Sequence, residues 1–198
     1  MIKNQIKSKV ISYKKELILQ EAGKYIEEVG YNSLKINDLA KKCSISVGQL
    51  YQLFESKDKM FYEYVLYQIN NFYNTLIENC KNTNFAQEKL LIFTKLKLKI
   101  FQEKRKAILD PISGDPLFFV KFNNKNPSLI IQEFLSLQFK DLEDSYNIKI
   151  KNPLQLAYAY NAYTLGYIEY CLNNNIDDEC DDKLAKVILD TFLHGMLK

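Results

Sequence analysis

The sequence predicts an all-α fold in which an N-terminal three-helix domain precedes a larger helical domain. Apolar residues recur at three- and four-residue spacing along most of the 198 residues, and that period is typical of amphipathic helices. Only 6 glycines and 4 prolines are present, whereas an all-β fold needs turn residues every ~8–12 positions. Hydrophobic residues make up 47% of the chain, a share that is typical of globular proteins.

The first two predicted helices are one long and one short segment. The first runs from Ile11 to Val29, with apolar residues such as Ile18 and Ala22 on one face. Gly30 follows it and predicts a left-handed cap that ends the helix. A second apolar pattern covers 36–43 and is too short to fold alone.

The third and fourth helices are predicted from their capping residues. Ser46 and Gln49 have the S-x-x-Q spacing of a capping box, which predicts a short helix that begins after Ser46. Ser56 caps a fourth helix from Lys57 to about Cys80. A long helix and two short ones, with a turn before the third, form a helix-turn-helix pattern.

The remaining sequence predicts further helices and no convincing strand. One covers residues 84–109, and a second begins at Asn126 with Pro127 in its first turn and ends near Tyr146. Asn152 and Pro153 repeat this device for a helix that ends near residues 173–175. A last helix covers residues 183–197.

Positive charge is concentrated near the N-terminus. The net charge is +3, and residues 1–60 hold eleven lysines against seven acidic residues. Lys95, Lys97 and Lys99 alternate with apolar residues; we expect a solvated helix face there, and a second nucleic-acid patch is the alternative. Because no run of about 18 uncharged apolar residues and no secretory signal is present, we expect a cytoplasmic protein without a membrane partner.

The start of the third helix carries residues that suit DNA contact. Val47 and Gly48 are small enough for the backbone to approach a duplex, and glycine costs roughly 1 kcal/mol against alanine within a helix. Gln49 and Gln52 can form hydrogen bonds with base edges or phosphates. Tyr51 offers its hydroxyl to a phosphate.

Lys57 is a further candidate for phosphate contact. It lies at the start of the fourth predicted helix, where a cation opposes the helix dipole. This unfavourable position indicates that Lys57 serves a group outside the helix.

The residues from Gly30 to Met60, and above all the S-x-G-x-x-Y-x-x-F-x-x-K spacing that begins at Ser46, resemble the DNA-binding domain of the TetR (tetracycline-repressor) family. The resemblance covers about residues 10–65. Ser44 stands where the family usually has glycine, which would permit a different backbone geometry in the turn. Lys35 stands where a threonine usually caps the second helix and contacts a phosphate; Lys35 would reach that phosphate as a cation.

The resemblance implies a homodimer that binds double-stranded operator DNA, with each third helix in the major groove of one half-site. Residues 1–56 would form the helix-turn-helix domain, and residues 57–198 a regulatory domain for effector binding and dimerisation. The helices near Pro153–Leu172 and Lys183–Leu197 would form a four-helix interface with the partner's copies. A small, largely apolar effector would release the repressor from a palindromic operator. The implied DNA-binding residues are Lys35, Ser46, Val47, Gly48, Gln49, Tyr51, Gln52 and Lys57.

Aromatic residues of the second domain are candidates for the effector pocket, since ligand pockets are mostly apolar. The candidates are Phe93, Phe118, Phe122, Tyr163 and Tyr167. Tyr163, Tyr167 and Tyr170 recur at i, i+4 and i+7, and this stripe faces either the pocket or the dimer partner.

An enzyme is not expected. His194 is the only histidine, no two cysteines have C-x-x-C spacing, and neither a Gly-rich phosphate loop nor a nucleophile motif is present. We therefore expect no catalytic residues, no metal site and no cofactor. The alternative function is a helical protein-interaction module that has kept the helix-turn-helix shape and lost DNA binding.

Overall fold

The computed structural model describes residues 2–103, 128–146, 149–174 and 182–196. Every regular element in these ranges is a helix, which confirms the predicted all-α fold. The helices are α1 (Ile2–Val29), α2 (Ile36–Lys42), α3 (Val47–Phe54), α4 (Lys57–Asn79), α5 (Ala86–Glu103), α6 (Leu129–Tyr146), α7 (Pro153–Asn173) and α8 (Asp182–Met196). None of these helices combines the length and the apolar character that a membrane span requires.

The described residues fall into two compact units. Residues 2–70 belong to the first unit, and residues 71–103 with the described residues from 128 onward belong to the second. The helix α4 begins in the first unit and ends in the second. The predicted domain boundary between residues 56 and 57 stays a prediction.

The core of the first unit is an apolar cluster formed by α1, α2, α3 and the start of α4. Its fully buried members are Ala22, Ile26, Leu39, Leu50, Phe54 and Met60. The helix α1 begins at Ile2, before the predicted start at Ile11, and its residues 2–13 are exposed. It ends as predicted, because Gly30 takes a left-handed φ of 81° and donates its N–H to the carbonyl of Ile26 at 2.7 Å.

Two helix starts follow the capping residues that the sequence predicts. Ser56 precedes α4, and its Oγ accepts the N–H of Lys59 at 3.0 Å. Asn152 precedes α7, and its Oδ1 accepts the N–H of Gln155 at 3.0 Å, with Pro153 in the first turn. Each cap satisfies a backbone donor that has no partner inside the helix.

The core of the second unit is a cluster of aromatic rings from α5, α6, α7 and α8. Tyr160 of α7 is fully buried. Its ring centroid lies 6.0 Å from that of Phe93, 5.8 Å from Phe139 and 4.9 Å from Phe192. We refer to these four residues as the ring cluster, and through it each of the other three helices contacts α7.

Lys97 contradicts the expectation that the lysines of α5 form a solvated face. Lys97 is only 8% exposed, whereas Lys99 is exposed. The reason is its position on the helix. Lys97 follows Phe93 by four residues and Thr94 by three, so it lies on the same face of α5 as these two buried residues.

Candidate functional site

The start of α3 is held by the predicted capping box. The N–H of Gln49 donates to Oγ of Ser46 at 3.1 Å, and the N–H of Ser46 donates to Oε1 of Gln49 at 3.1 Å. Both halves of the box are therefore formed. The two amide N–H groups of Gln49 take no part in it and are available to another acceptor.

The turn before α3 contains Ser44 in a left-handed conformation. Its φ is 53°, a value that glycine adopts freely and that other residues rarely adopt. The N–H of Ser44 donates to the carbonyl of Lys41 at 3.0 Å. Ser44 thus accepts the backbone conformation of a glycine, so serine at this position does not require a different kind of turn.

A γ-turn at Glu55 connects α3 to α4. Glu55 has φ 65° and ψ −46°, and the N–H of Ser56 donates across it to the carbonyl of Phe54 at 2.7 Å. This turn is rare because its central residue is strained. Ser56 then caps α4, so the chain passes from one helix to the next through these two residues.

The helix α3 has a buried face and an exposed face. Leu50 and Phe54 are fully buried in the core of the first unit. Gln49, Gln52 and Tyr51 are exposed, and Tyr51 keeps 42% of its surface accessible although it is a large aromatic residue. Ser46 and Gly48 are also exposed, while Val47 is partly buried against the core.

Packing within the first unit does not explain the glycine at position 48. A Cβ added at Gly48 would have Oγ of Ser46 as its nearest neighbour, at 3.9 Å, which is ordinary van der Waals contact. Gly48 also lies in α3 without a positive φ. An alanine would fit there and would favour the helix, so neither packing nor backbone conformation within the unit requires glycine at this position.

Lys57 is held at the first turn of α4 by aromatic and backbone contacts. Its Nζ lies 4.6 Å from the ring centroid of Tyr31 and donates to the carbonyl of Asn32 at 3.5 Å. The hydroxyl of Tyr31 donates to Oδ1 of Asp58 at 2.6 Å, which fixes the ring. Partial burial lowers the pKa of Lys57, and the charge of Asp58 opposes that shift.

Lys35 occupies the N-cap position of α2 without capping the helix. Its backbone is extended, with φ −102° and ψ 126°, and its side chain makes no cap hydrogen bond. Its carbonyl accepts the N–H groups of Asp38 and Leu39, both at 3.1 Å. Lys35 is exposed. Where the family usually has a threonine that caps the helix, this chain therefore has a solvated cation and no side-chain cap.

Only some of the predicted effector-pocket residues are described. Phe118 and Phe122 lie outside the described residues. Phe93 is buried, and its ring lies edge-on to that of Phe72 with centroids 5.8 Å apart. A surface depression of about 830 Å³ in the second unit is lined instead by Phe85, Ala86, Gln87, Glu88, Leu91, Leu142, Lys186, Leu189 and Asp190. Its position was not predicted from the sequence.

The tyrosine stripe of α7 does not share one environment. The ring of Tyr163 lies 5.2 Å from that of Tyr167 and 5.4 Å from that of Phe192, and both tyrosines are partly buried. Burial and a hydrogen bond with Tyr167 raise the pKa of Tyr163 to about 12. Tyr170, at the end of the stripe, is exposed. The assignment of this stripe to a pocket or to a partner stays a prediction.

Sequence reasoning missed the polar group in the interior of the second unit. Nζ of Lys97 donates to the backbone carbonyl and to Oδ1 of Asn161, both at 2.6 Å, and to Oγ1 of Thr164 at 2.7 Å. Burial lowers the pKa of Lys97 to about 7. The signal in the sequence is the position of Lys97 on the apolar face of α5, one turn after Phe93.

Residues 18–64 match the family model for bacterial regulatory proteins of the tetR family. This stretch begins in α1 and ends in α4, and therefore contains every DNA-contact candidate. The chain is also 36% identical over 61 residues, 31% of its length, to the uncharacterized HTH-type transcriptional regulator YuxN from Bacillus subtilis (strain 168). The chain spans 7% and 20% of the lengths of the curated relatives that it matches.

Solved regulators have a similar fold. FadR from Bacillus subtilis, solved in complex with stearoyl-CoA, is 17% identical with a TM-score of 0.74, covering 88% of this chain and 95% of FadR. AibR, solved in complex with isovaleryl coenzyme A and operator DNA, is 16% identical with a TM-score of 0.60, covering 93% of this chain and 96% of AibR.

A third solved structure is the TetR family transcriptional regulator PfmR from Thermus thermophilus. It is 20% identical with a TM-score of 0.62, covering 89% of this chain and 97% of PfmR. Identities this low show a shared fold only. Residues 18–64 of the chain therefore match bacterial regulatory proteins of the tetR family, and the fold of the described residues is similar to that of solved transcriptional regulators.

Proposed function

We propose that the chain is a ligand-responsive transcriptional repressor that binds a near-palindromic operator as a homodimer. The observation that carries this proposal is the division of α3 into a buried face at Leu50 and Phe54 and an exposed face with Gln49, Tyr51 and Gln52. A helix whose apolar face is packed against the core in this way can present polar side chains of the opposite face to the major groove. AibR, which has a similar fold, was solved with operator DNA.

The exposed residues would divide the work of DNA recognition between bases and phosphates. Gln49 and Gln52 would contact base edges. Tyr51 and Lys57 would contact phosphates, and the ring of Tyr31 holds the Lys57 ammonium in position for this. Gly48 would allow close approach of the backbone.

An interface on α7 and α8 would join the two protomers. Leu154 and Tyr158 lie one turn apart on α7, Val187 lies on α8, and all three are exposed. Exposed apolar residues on these two helices are what a helical dimer interface requires. Such a dimer would present two α3 helices to half-sites about one helical turn apart, ~34–36 Å.

The effector is proposed to carry an apolar acyl portion. FadR and AibR were solved with stearoyl-CoA and isovaleryl coenzyme A respectively, and both resemble this chain in fold. The aromatic interior of the second unit is a chemically suitable environment for an acyl chain. Binding would release the cytoplasmic repressor from DNA only if the effector prefers the conformation that does not fit the operator.

Fluorescence anisotropy with duplexes from the upstream region of the gene tests this proposal. We expect a sequence-specific complex that the double change Tyr51→Ala and Lys57→Ala weakens at least tenfold. Lys57→Ala alone should weaken binding to all duplexes alike and reduce the salt slope by about 1. Lys99→Ala, which changes an exposed lysine of the second unit, is the control. A protein that binds no duplex at low salt would instead be an interaction module without DNA binding.

A further inference from the structure

The interior of the second unit contains several buried polar side chains. Among the described residues, the buried polar or charged side chains all lie in α5, α6 and α7; they are Thr94, Lys97, Gln132, Gln138 and Thr164. The core cluster of the first unit consists of apolar and tyrosine side chains. Burial of a polar group is unfavourable unless it is fully partnered, so a concentration of such groups points to a function.

Lys97 has its hydrogen bonds satisfied but its charge uncompensated. Its three donors meet the carbonyl and Oδ1 of Asn161 and the hydroxyl of Thr164, all of which are neutral. The ion pairs of the described residues do not include Lys97. Desolvation is the cause that lowers its pKa, and the ring centroid of Phe93 lies 5.6 Å from Nζ.

Two glutamines of α6 add acceptors without donors. Gln132 and Gln138 are 2% and 4% exposed, and Oε1 of each has no hydrogen-bond partner among the described residues. The amide of Gln138 does donate, to the carbonyl of Phe134 at 2.9 Å. Buried acceptors without donors are uncommon in folded proteins and are expected where a bound molecule or water donates to them.

We propose that Lys97 binds the acidic group of the effector, so that the effector is an amphipathic carboxylic acid whose apolar portion contacts the ring cluster. This inference rests on the proposed function, because it identifies the head group of the effector invoked there. A carboxylate would supply the negative charge that Asn161 and Thr164 lack, and charge-assisted hydrogen bonds are about twice as strong as neutral ones.

Binding of a carboxylate at Lys97 would also alter the contact between two helices. Among the described residues, the Lys97 ammonium on α5 donates only to acceptors of α7. A ligand oxygen would have to replace at least one of these acceptors, because all three donors are in use. The acid would therefore weaken the α5–α7 link as it binds, which gives the effector a differential effect on conformation.

Isothermal titration calorimetry of the full chain with decanoate and decanol tests the inference. The two probes have the same chain length and differ in the head group. At pH 6.5 we expect decanoate to bind the wild-type protein at least tenfold more tightly than decanol. Lys97→Met should abolish this preference, whereas Lys97→Arg and the control Lys99→Met should keep it. Because the wild-type comparison needs no variant, it remains decisive if Lys97→Met does not fold.

Three outcomes would overturn the inference: equal affinity for the two probes, no binding of decanoate, or a preference for decanoate that persists in Lys97→Met. Decanoyl-CoA separates the two sources of an acyl chain. If it binds with the same affinity to wild type and Lys97→Met while decanoate does not bind, the effector is a thioester and the assignment of Lys97 is wrong. Operator binding by the same preparation shows whether the proposed function still stands.

Discussion

Gln49 combines two roles that use different atoms of one side chain. Its Oε1 accepts the N–H of Ser46 in the capping box, and its amide N–H groups are directed to no partner in the box. Bidentate recognition of adenine needs both an amide donor and the carbonyl oxygen. While the box is intact, Gln49 is therefore better suited to base acceptors such as those of guanine.

Replacement of Gln49 by glutamate separates capping from DNA contact. Glutamate forms the same capping box but has no donors. For Gln49→Glu we expect a free energy of unfolding within about 0.5 kcal/mol of wild type, and operator affinity at least tenfold lower. Gln49→Ala should lose operator affinity and about 0.5–1 kcal/mol of stability. Urea unfolding measures the stability of each variant, and fluorescence anisotropy measures its affinity for DNA. Because the carboxylate of Gln49→Glu repels every duplex, Gln49→Ala tests the base contact: an equal loss of affinity for operator and scrambled duplexes would exclude it.

Lys97 makes the stability of the protein depend on pH in a defined direction. Burial lowers its pKa from the usual 10.5 to about 7. Between these values the unfolded chain binds a proton that the folded chain does not, so the free energy of unfolding rises with pH, by at most about 1.4 kcal/mol per unit. Below pH 7 Lys97 is protonated in both the folded and the unfolded chain, so the destabilisation caused by burying its charge has reached its full value.

Comparison with Lys97→Met isolates this effect from other titrating groups. The stability of wild type relative to the variant should increase from pH 6.5 to pH 9. Urea unfolding at several pH values measures the difference, with Lys99→Met as the exposed control on the same helix. A difference that does not change with pH would show that the Lys97 proton is retained in the folded state.

At the scale of elements, α2 is a short helix that begins without a side-chain cap. The extended backbone of Lys35 already has the conformation of an N-cap residue. We expect Lys35→Thr to raise the free energy of unfolding by about 1 kcal/mol, because the threonine hydroxyl can accept the N–H of Asp38. Lys41→Thr, at the other end of α2, removes a cation that favours the helix dipole and should give no such gain. Differential scanning calorimetry would distinguish the two.

At the scale of the whole molecule, the dimer prediction depends on the exposed residues of α7 and α8. A charge placed in the proposed interface should separate the protomers, since uncompensated charges are unfavourable in a buried contact. We expect Tyr158→Asp to raise the dimer dissociation constant at least tenfold in analytical ultracentrifugation. Tyr13→Asp changes an exposed tyrosine of α1 and should have no effect. A wild-type protein that is monomeric at micromolar concentration would contradict the proposed dimer.

The parts of the fold that could be predicted from the sequence depend on local interactions. The caps at Ser46, Ser56 and Asn152 link residues three positions apart, so a short sequence pattern contains both partners. The start of α1 was placed too late, because residues 2–13 are exposed and have no buried face to give them a period.

The environment of Lys97 depends on contacts that are distant in the sequence. Its acceptors Asn161 and Thr164 lie more than 60 positions away in the sequence. The alternation of lysine with apolar residues in α5 therefore predicted a solvated helix face instead of a buried lysine. The left-handed conformation of Ser44 is likewise not specified by the residue type, because serine adopts it rarely. The exposed face of α3 was predictable because its buried partners recur at helical spacing.

The γ-turn at Glu55 has a mechanical consequence. The connection between α3 and α4 consists of two residues and is closed by a hydrogen bond, so it cannot lengthen to absorb a displacement of either helix. When the first turn of α4 shifts, the end of α3 must travel with it by a comparable distance. Because α3 is linked to α4 in this way, we expect a shift of α4 to be enough to withdraw α3 from a major groove.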